Sequence, residues 1–439
     1  PGGAGRLLRL GLRLRGDRVL IESQDETESE VIDAPHVGGP PRVGLVLSGG
    51  GARGAYEVGV LRYIRERLKG DNRIDIITGS SIGAVNGAYI AATADRPKAQ
   101  GRLLARVWSE LNLDEVCKFG WSQMRALPQV LFGKARNQST HGAQLGGLVD
   151  PRAMQALVRT RLPWAGITEN LHRGHLSAIS CTATEVATGN VTVFVQTASG
   201  TLPPHWPSAQ RQSVVLTPIT AAHTLASGAI PVLFPAVRVG DQLYADGGLR
   251  QNTPLRPAMR LGATRLLVIG LRHLRDASEF RQIREEAESA FPSAMFMLGK
   301  VLNVLLLEKV ENDLERIYRM NQILAAGARE FGDDFATRLA GAMHKDKSTP
   351  YAHVHTVLIR PSQDLGRVAF ETVKRTGLSR YSGVIARWIR WAVQADDARQ
   401  ESDLASYLLF DRDYVLRLIE LGYADAARHH AELMSLFDR

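Results

Sequence analysis

Arg42-Val-Gly-Leu-Val-Leu47 runs directly into Ser48-Gly-Gly-Gly51, and Ile74-Asp-Ile-Ile77 runs into Gly79-Ser-Ser-Ile-Gly83; these two passages decide the fold. Each is a short apolar run ended by a glycine turn, and each leads into a helical pattern. After the first, Tyr56, Val60, Tyr63, Ile64 and Leu68 recur at helical spacing through Lys69. After the second, Ala84 to Ala94 is rich in small residues, which predicts a helix buried on most sides. Two strand–turn–helix units in succession predict an α/β protein built on a parallel sheet flanked by helices.

Outward from these units, the runs His175 to Cys181, Asn190 to Gln196, Gln242 to Ala245, Arg265 to Leu271 and His353 to Ile359 predict further strands. The last implies that the sheet is completed late in the chain. Ala287 to Leu324 has helical spacing interrupted at Phe291-Pro292. Leu378 to Phe437 is again helical, with Trp388, Trp391, Leu404, Leu408, Leu416 and Leu421 as core candidates. Residues 1–40 read as a poorly ordered tail. In it Arg6, Arg9, Arg13 and Arg15 alternate with Leu7, Leu8, Leu10, Leu12 and Leu14, before an acidic stretch from Glu22 to Asp33. The Arg/Leu part also fits a short amphipathic membrane-seeking piece, without the apolar core or cleavage pattern of a signal peptide.

A content of 44% hydrophobic and 23% charged residues over 439 positions sets the chain among folded globular proteins and excludes disorder, collagen and coiled coil as its overall character. No apolar run reaches the roughly eighteen residues that a membrane-crossing helix needs, so any membrane contact is expected to be peripheral. Two cysteines, Cys117 and Cys181, offer at most one bridge, which argues against a disulfide scaffold and fits an intracellular, reducing location. The net charge of +9 favours anionic surfaces, phospholipid headgroups or nucleic acid, and equally serves solubility. No zinc spacing, basic recognition helix or aromatic stacking motif accompanies it, so no nucleic-acid partner is expected.

Gly49-Gly-Gly-Ala-Arg-Gly54 lies after a strand and before a helix, the arrangement of a backbone cradle for negative charge. It fits a dinucleotide site, with Asp71 or Asp75 as the ribose-binding acid, an oxyanion hole, or a glycine turn with no ligand. Gly79-Ser-Ser-Ile-Gly83 has the G-x-S-x-G form and the strand-to-helix context of a nucleophile elbow. A sharp turn there would project the Ser81 hydroxyl into a cleft at the head of a helix, where the helix dipole favours developing negative charge. A serine hydroxyl needs a base. Asp246, in Tyr244-Ala-Asp-Gly-Gly-Leu-Arg-Gln-Asn-Thr-Pro254, follows a short strand and precedes Gly247 and Gly248, which permit close approach. His223, in Ala221-Ala-His-Thr-Leu225, would complete a Ser-His-Asp triad, but it sits in an apolar helical run where a core or surface histidine is the simpler reading.

The ordered set Gly49-Gly-Gly-Ala-Arg-Gly54, Gly79-Ser-Ser-Ile-Gly83 and Asp246-Gly-Gly248 resembles the signature of the patatin-like phospholipase family. Thr182-Ala-Thr-Glu-Val-Ala-Thr-Gly189, Ala226-Ser-Gly-Ala-Ile-Pro231 and Phe234-Pro235 also resemble segments of that family's domain, over about Val43 to Pro257. The resemblance implies a three-layer α/β/α fold with a mainly parallel central sheet. It also implies a Ser-Asp dyad of Ser81 and Asp246 without a catalytic histidine, and an oxyanion hole at Gly49, Gly50 and Gly51. Arg53 matches the motif's arginine, with Gly54, Gly79, Gly83, Gly247 and Gly248 as supporting motif positions. The implied activity is hydrolysis of acyl esters, commonly of phospholipids or lysophospholipids, with no metal or cofactor. On this reading residues 41–270 form the catalytic domain, and 271–439 a mainly helical C-terminal extension that contributes the late strand at about 353–359.

Two rival functions follow from the same residues: a non-catalytic lipid-binding or regulatory protein that retains the fold, and a nucleotide-dependent oxidoreductase built on the glycine loop. The segment Ala294 to Leu307, apolar except for Lys300 and Asn303, suits either core or a lid or interfacial helix. The expected location is intracellular, soluble or peripherally bound to anionic membrane; substrate preference and oligomeric state stay open.

Overall fold

The computed structural model describes residues 40–111, 116, 150–203, 206, 212–231, 233–275, 310–343, 351–376 and 405–438. The expectations for the tail at 1–40, Pro40 apart, and those for Cys117, for Phe291-Pro292, for the 294–307 segment and for Trp388, Trp391 and Leu404 lie outside these residues.

Among the described residues, nine strands form one sheet: β1 (Val43–Leu47), β2 (Ile76–Ser80), β3 (Ala178–Glu185), β4 (Val191–Thr197), β5 (Gln212–Leu216), β6 (Val237–Val239), β7 (Gln242–Asp246), β8 (Arg265–Ile269) and β9 (His355–Ile359). The order is β5-β4-β3-β2-β1-β8-β9, with β7 on β3 and β6 on β7. The run from β3 through β2, β1 and β8 to β9 is parallel throughout. Antiparallel pairing is confined to β3 with β4 and β7, and β6 with β7.

The described helices are α1 (Ala55–Arg67), α2 (Ile82–Ala92), α3 (Pro97–Ser109), α4 (Arg152–Arg161), α5 (Ala165–His172), α6 (Ala221–Ser227), α7 (Leu255–Arg260), α8 (Val310–Phe331), α9 (Phe335–Met343), α10 (Leu365–Thr376), α11 (Arg412–Arg428) and α12 (His430–Phe437). Side-chain alternation along the strands divides them into two layers. Leu45, Leu47, Ile77, Ile179, Leu267 and Ile269 share one core with α1, α2, α3, α10 and α11. Val46, Ile76, Val193, Val195, Leu266 and Val268 share the other with α7 and α8. The result is a three-layer α/β/α fold. Among the described residues no helix is long and apolar enough to cross a membrane.

Three differences from the sequence reading have physical causes. β3 begins at Ala178 rather than His175 and continues through Thr182 to Glu185, because it pairs on both sides and its threonines complete ladders. β5 is an edge strand with Val215 and Leu216 exposed, so it lacks the buried alternation that announces a strand. β6 is only three residues long, and Gly240 at φ 58° turns it into β7.

Of the C-terminal helices, α8 joins the second core, whereas α10, α11 and α12 join the first: Tyr414, Leu418 and Ile419 of α11 are buried within it. The Tyr56 hydroxyl of α1 also donates to Asp425 of α11 at 2.9 Å.

Candidate active site

The parallel register brings the two chemically notable turns together. β2 ends at Ser80, which pairs with Thr182 of β3. At the next position of β3, Ala183 pairs instead with Asp246 of β7. β7 thus takes up the edge of β3 that β2 leaves, so the residue after β2 and the residue ending β7 become neighbours. The Ser81 hydroxyl donates to Asp246 Oδ2 at 2.6 Å, with both side chains buried.

Ser81 stands between β2 and α2 at φ 52°, ψ −125°, the one non-glycine residue with positive φ among the described residues. Its flanking glycines permit this turn: a Cβ at Gly79 would lie 2.3 Å from the Gly83 carbonyl oxygen, and one at Gly83 would lie 2.6 Å from that of Leu47. The Ser81 N–H donates to Ser227 Oγ at 2.8 Å, and Ser227 in turn donates to the Thr182 carbonyl at 2.6 Å. Asp246 is held by the same segment, since its N–H donates to the Ala229 carbonyl at 2.9 Å. Its Oδ1 accepts the Gly248 N–H at 2.7 Å, within the short turn of Gly247–Leu249. Burial pushes the Asp246 carboxyl up to about 7, while the bonds from Ser81 and Gly248 oppose the rise. A carboxyl so placed can exchange a proton near neutral pH.

His223 has another task. It is the third residue of α6, and its Nδ1 accepts the Thr220 N–H at 3.0 Å in a capping box. Its ring lies against Phe194, and burial lowers its pKa to about 4.

The glycine loop follows β1, with Gly54 capping α1. The Gly49 N–H donates to the Asn252 carbonyl at 3.2 Å, and Asn252 Nδ2 donates to the Gly49 carbonyl at the same distance. Asn252 therefore clamps Gly49 from both sides. Of the three loop glycines this leaves the N–H groups of Gly50 and Gly51 to meet a ligand, and Gly51 lines the cavity beside Ser81. Asp75 precedes β2, at the end of the parallel strands opposite this loop, where it accepts the Val43 N–H and pairs with Arg73. That position is unsuited to a ribose on the glycine loop. Arg53 is buried, and its Nε donates to Ser406 Oγ at 2.7 Å.

Beneath the loop, Glu57 Oε1 accepts the Ser48 N–H at 2.9 Å and Oε2 accepts Asn86 Nδ2 at 2.8 Å. Burial pushes this carboxyl up to about 8. A protonated carboxyl oxygen still accepts through its remaining lone pair, whereas an amide NH₂ cannot. Glu57→Gln is therefore expected to lose one of the two bonds and about 1–3 kcal/mol of stability in urea unfolding. Because the folded-state pKa is raised, the wild-type contribution is full below about 4.5 and is lost as pH rises through about 8. The gap between the two proteins should narrow over that window; a gap that widens with pH would contradict this account.

Ser81 opens onto a cavity of about 660 Å³, open solvent at its mouth included. Its walls are apolar: Val85 of α2, Met154 and Val158 of α4, Leu225 of α6, Ile230 and Phe234, and Tyr407, Leu408 and Phe410 from the C-terminal region. Sequence reasoning did not assign site positions to Ser227, Ala229, Asn252 or residues 407–410. The first three hydrogen-bond to the backbone of other segments, through the side chains of Ser227 and Asn252 and the carbonyls of Ala229 and Asn252, and such contacts carry no periodic signal in the sequence. Leu408 was legible only as a core candidate.

Residues 45–259 match the family model for patatin-like phospholipases, and the chain carries a patatin-like phospholipase domain over that span. A 60-residue stretch is 53% identical to lysophospholipase nte1 of Aspergillus terreus, covering 14% of this chain and 4% of that protein. A stretch of 68 residues is 46% identical to patatin-like phospholipase domain-containing protein 7 of Mus musculus, covering 16% of this chain and 5% of that protein. The matches thus span a small fraction of these relatives' length. Among solved structures, human GIVD cytosolic phospholipase A2 aligns with 90% of this chain and 59% of its own, at 13% identity and a TM-score of 0.34.

Proposed function

We propose that the chain is a serine acyl-ester hydrolase acting on lipids, of the phospholipase A or lysophospholipase type, with Ser81 as nucleophile and Asp246 as general base. The observation that carries this reading is the 2.6 Å contact between the Ser81 hydroxyl and Asp246 at the edge of an apolar cavity. Asp246 takes the Ser81 proton as Oγ bonds to the ester carbonyl carbon. The carbonyl oxygen becomes an oxyanion held by the N–H groups of Gly50 and Gly51. Collapse breaks the bond to the alcohol, which leaves with the proton from Asp246, and an acyl-serine remains. Water then gives a proton to Asp246 and attacks the acyl carbon. Release of the fatty acid returns that proton to Ser81. The apolar walls suit an acyl chain, and the excess of positive charge suits an anionic lipid surface.

A lipid-like fluorophosphonate should label the wild type on the peptide containing Ser81 and leave Ser81→Ala unlabelled, with phospholipid turnover lost in parallel. Labelling elsewhere, or a labelled Ser81→Ala, would remove Ser81 from the role. Labelling without turnover of any acyl ester would favour the lipid-binding alternative.

A further inference from the structure

Residues 405–410 lie far beyond the segment that matches the family, yet they touch the glycine loop itself. Gly51 adopts φ 58°, and a Cβ there would fall 2.2 Å from the Tyr407 carbonyl oxygen, so the two backbones meet with no room for a side chain. Arg53 fastens the contact. Its Nε donates to Ser406 Oγ, and its guanidinium lies 4.1 Å from the centre of the Tyr407 ring. At the other end, Phe410 stacks on Trp108 with ring centres 6.0 Å apart and planes 22° apart. The Trp108 indole N–H donates to Asn86 Oδ1 at 2.9 Å, and Asn86 donates to Glu57 and to the Gly54 carbonyl. The segment is therefore anchored at both ends to the elements that position Ser81. The anchor residues Tyr407 and Phe410, with Leu408 between them, face the cavity that Ser81 opens onto.

We propose that residues 405–410 form the acyl-selecting wall of the site, with Leu408 and Phe410 setting the length and bulk of the chain accepted and Arg53 positioning the wall. This inference rests on the acyl-hydrolase reading above. A side chain in an apolar cavity discriminates substrates that differ by methylenes, with about tenfold or more in kcat/KM for each step. A wall fixed at both ends cannot retreat from a longer chain, so its side chains decide the limit.

The test is kcat and KM of the full chain for p-nitrophenyl esters from acetate to palmitate, in wild type, Phe410→Ala and Leu408→Phe. Phe410→Ala should move the preferred ester to longer chains, raising kcat/KM for the longest relative to butyrate by about tenfold, mainly through KM. Leu408→Phe should move it to shorter chains. A uniform loss across the series, or an unmoved preference in variants that unfold at the wild-type temperature, overturns the wall. Should Phe410→Ala fail to fold, Leu408→Phe and the relative rates of labelling by short- and long-chain fluorophosphonates decide the question. Wild-type protein without Ser81-dependent turnover overturns the hydrolase reading itself, an outcome distinct from an active enzyme whose preference does not move.

Discussion

Asp246→Asn is expected to lower kcat for a short-chain ester by about 10³- to 10⁴-fold while leaving the fold intact. The substitution is nearly isosteric. The amide oxygen can keep the Gly248 N–H, and the amide nitrogen can donate to Ser81 Oγ, so neither bond need be lost. Only the capacity to accept the serine proton disappears. In the wild type, kcat/KM should rise with pH and level off above about 7, as the buried carboxyl ionises. The variant should retain no such rise. Stability should respond in the opposite sense. A carboxyl raised from 3.8 to about 7 favours the folded state fully below about 4 and loses that contribution as pH rises through about 7. Its ionisation in the folded protein therefore costs up to about 4 kcal/mol at alkaline pH. Asn at this position escapes the cost, so the variant's melting temperature should gain on the wild type between about pH 4 and 7 and hold its lead above. Parallel melting curves across this range would mean that the carboxyl titrates normally, and an active variant would mean that another group takes the proton.

The local patterns around Ser81 and Asp246 were visible because glycine turns after apolar runs are local, periodic signals. Their contact is not local. It depends on β3 outlasting β2, so that Ala183 pairs with Asp246 one position beyond the Ser80–Thr182 pair. The strand predicted at His175 to Cys181 stopped short of this junction, because Thr182-Ala-Thr-Glu185 lacks an apolar run. The same limit applies to the supports. Ser227 binds the elbow from 146 positions away, Ala229 holds the aspartate from before the β6–β7 hairpin, and Asn252 reaches Gly49 over some two hundred positions. Short-range pattern cannot encode such pairs. The C-terminal region was legible as helices with apolar faces, but amphipathicity does not say which core a helix joins. That Tyr407, Leu408 and Phe410 face a cavity, on a segment that meets the glycine loop at Gly51, is a contact between parts of the chain far apart in sequence.

Ser81→Gly should be more stable than Ser81→Ala by about 1–2 kcal/mol, although both are expected to be inactive. Both variants lose the hydroxyl and leave Asp246 Oδ2 without that donor, so this cost cancels in the comparison. What differs is the backbone. At φ 52°, ψ −125° an L side chain carries about 1–3 kcal/mol of strain, which glycine does not. Glycine ordinarily costs about 0.5–1 kcal/mol of chain entropy relative to alanine, so the strain term must exceed it for the predicted sign to appear. Urea unfolding of the pair measures this difference directly. Equal stability, or a more stable alanine variant, would mean that the elbow is relaxed and that its conformation stores nothing. The predicted sign would mean that the surrounding sheet and helix hold Ser81 in an unfavourable conformation. The elements able to do so are identifiable: Ser227 fixes the Ser81 N–H, and Leu47 packs so closely on Gly83 that the turn cannot widen. On that outcome, burial energy of the core is spent in aiming one hydroxyl at Asp246.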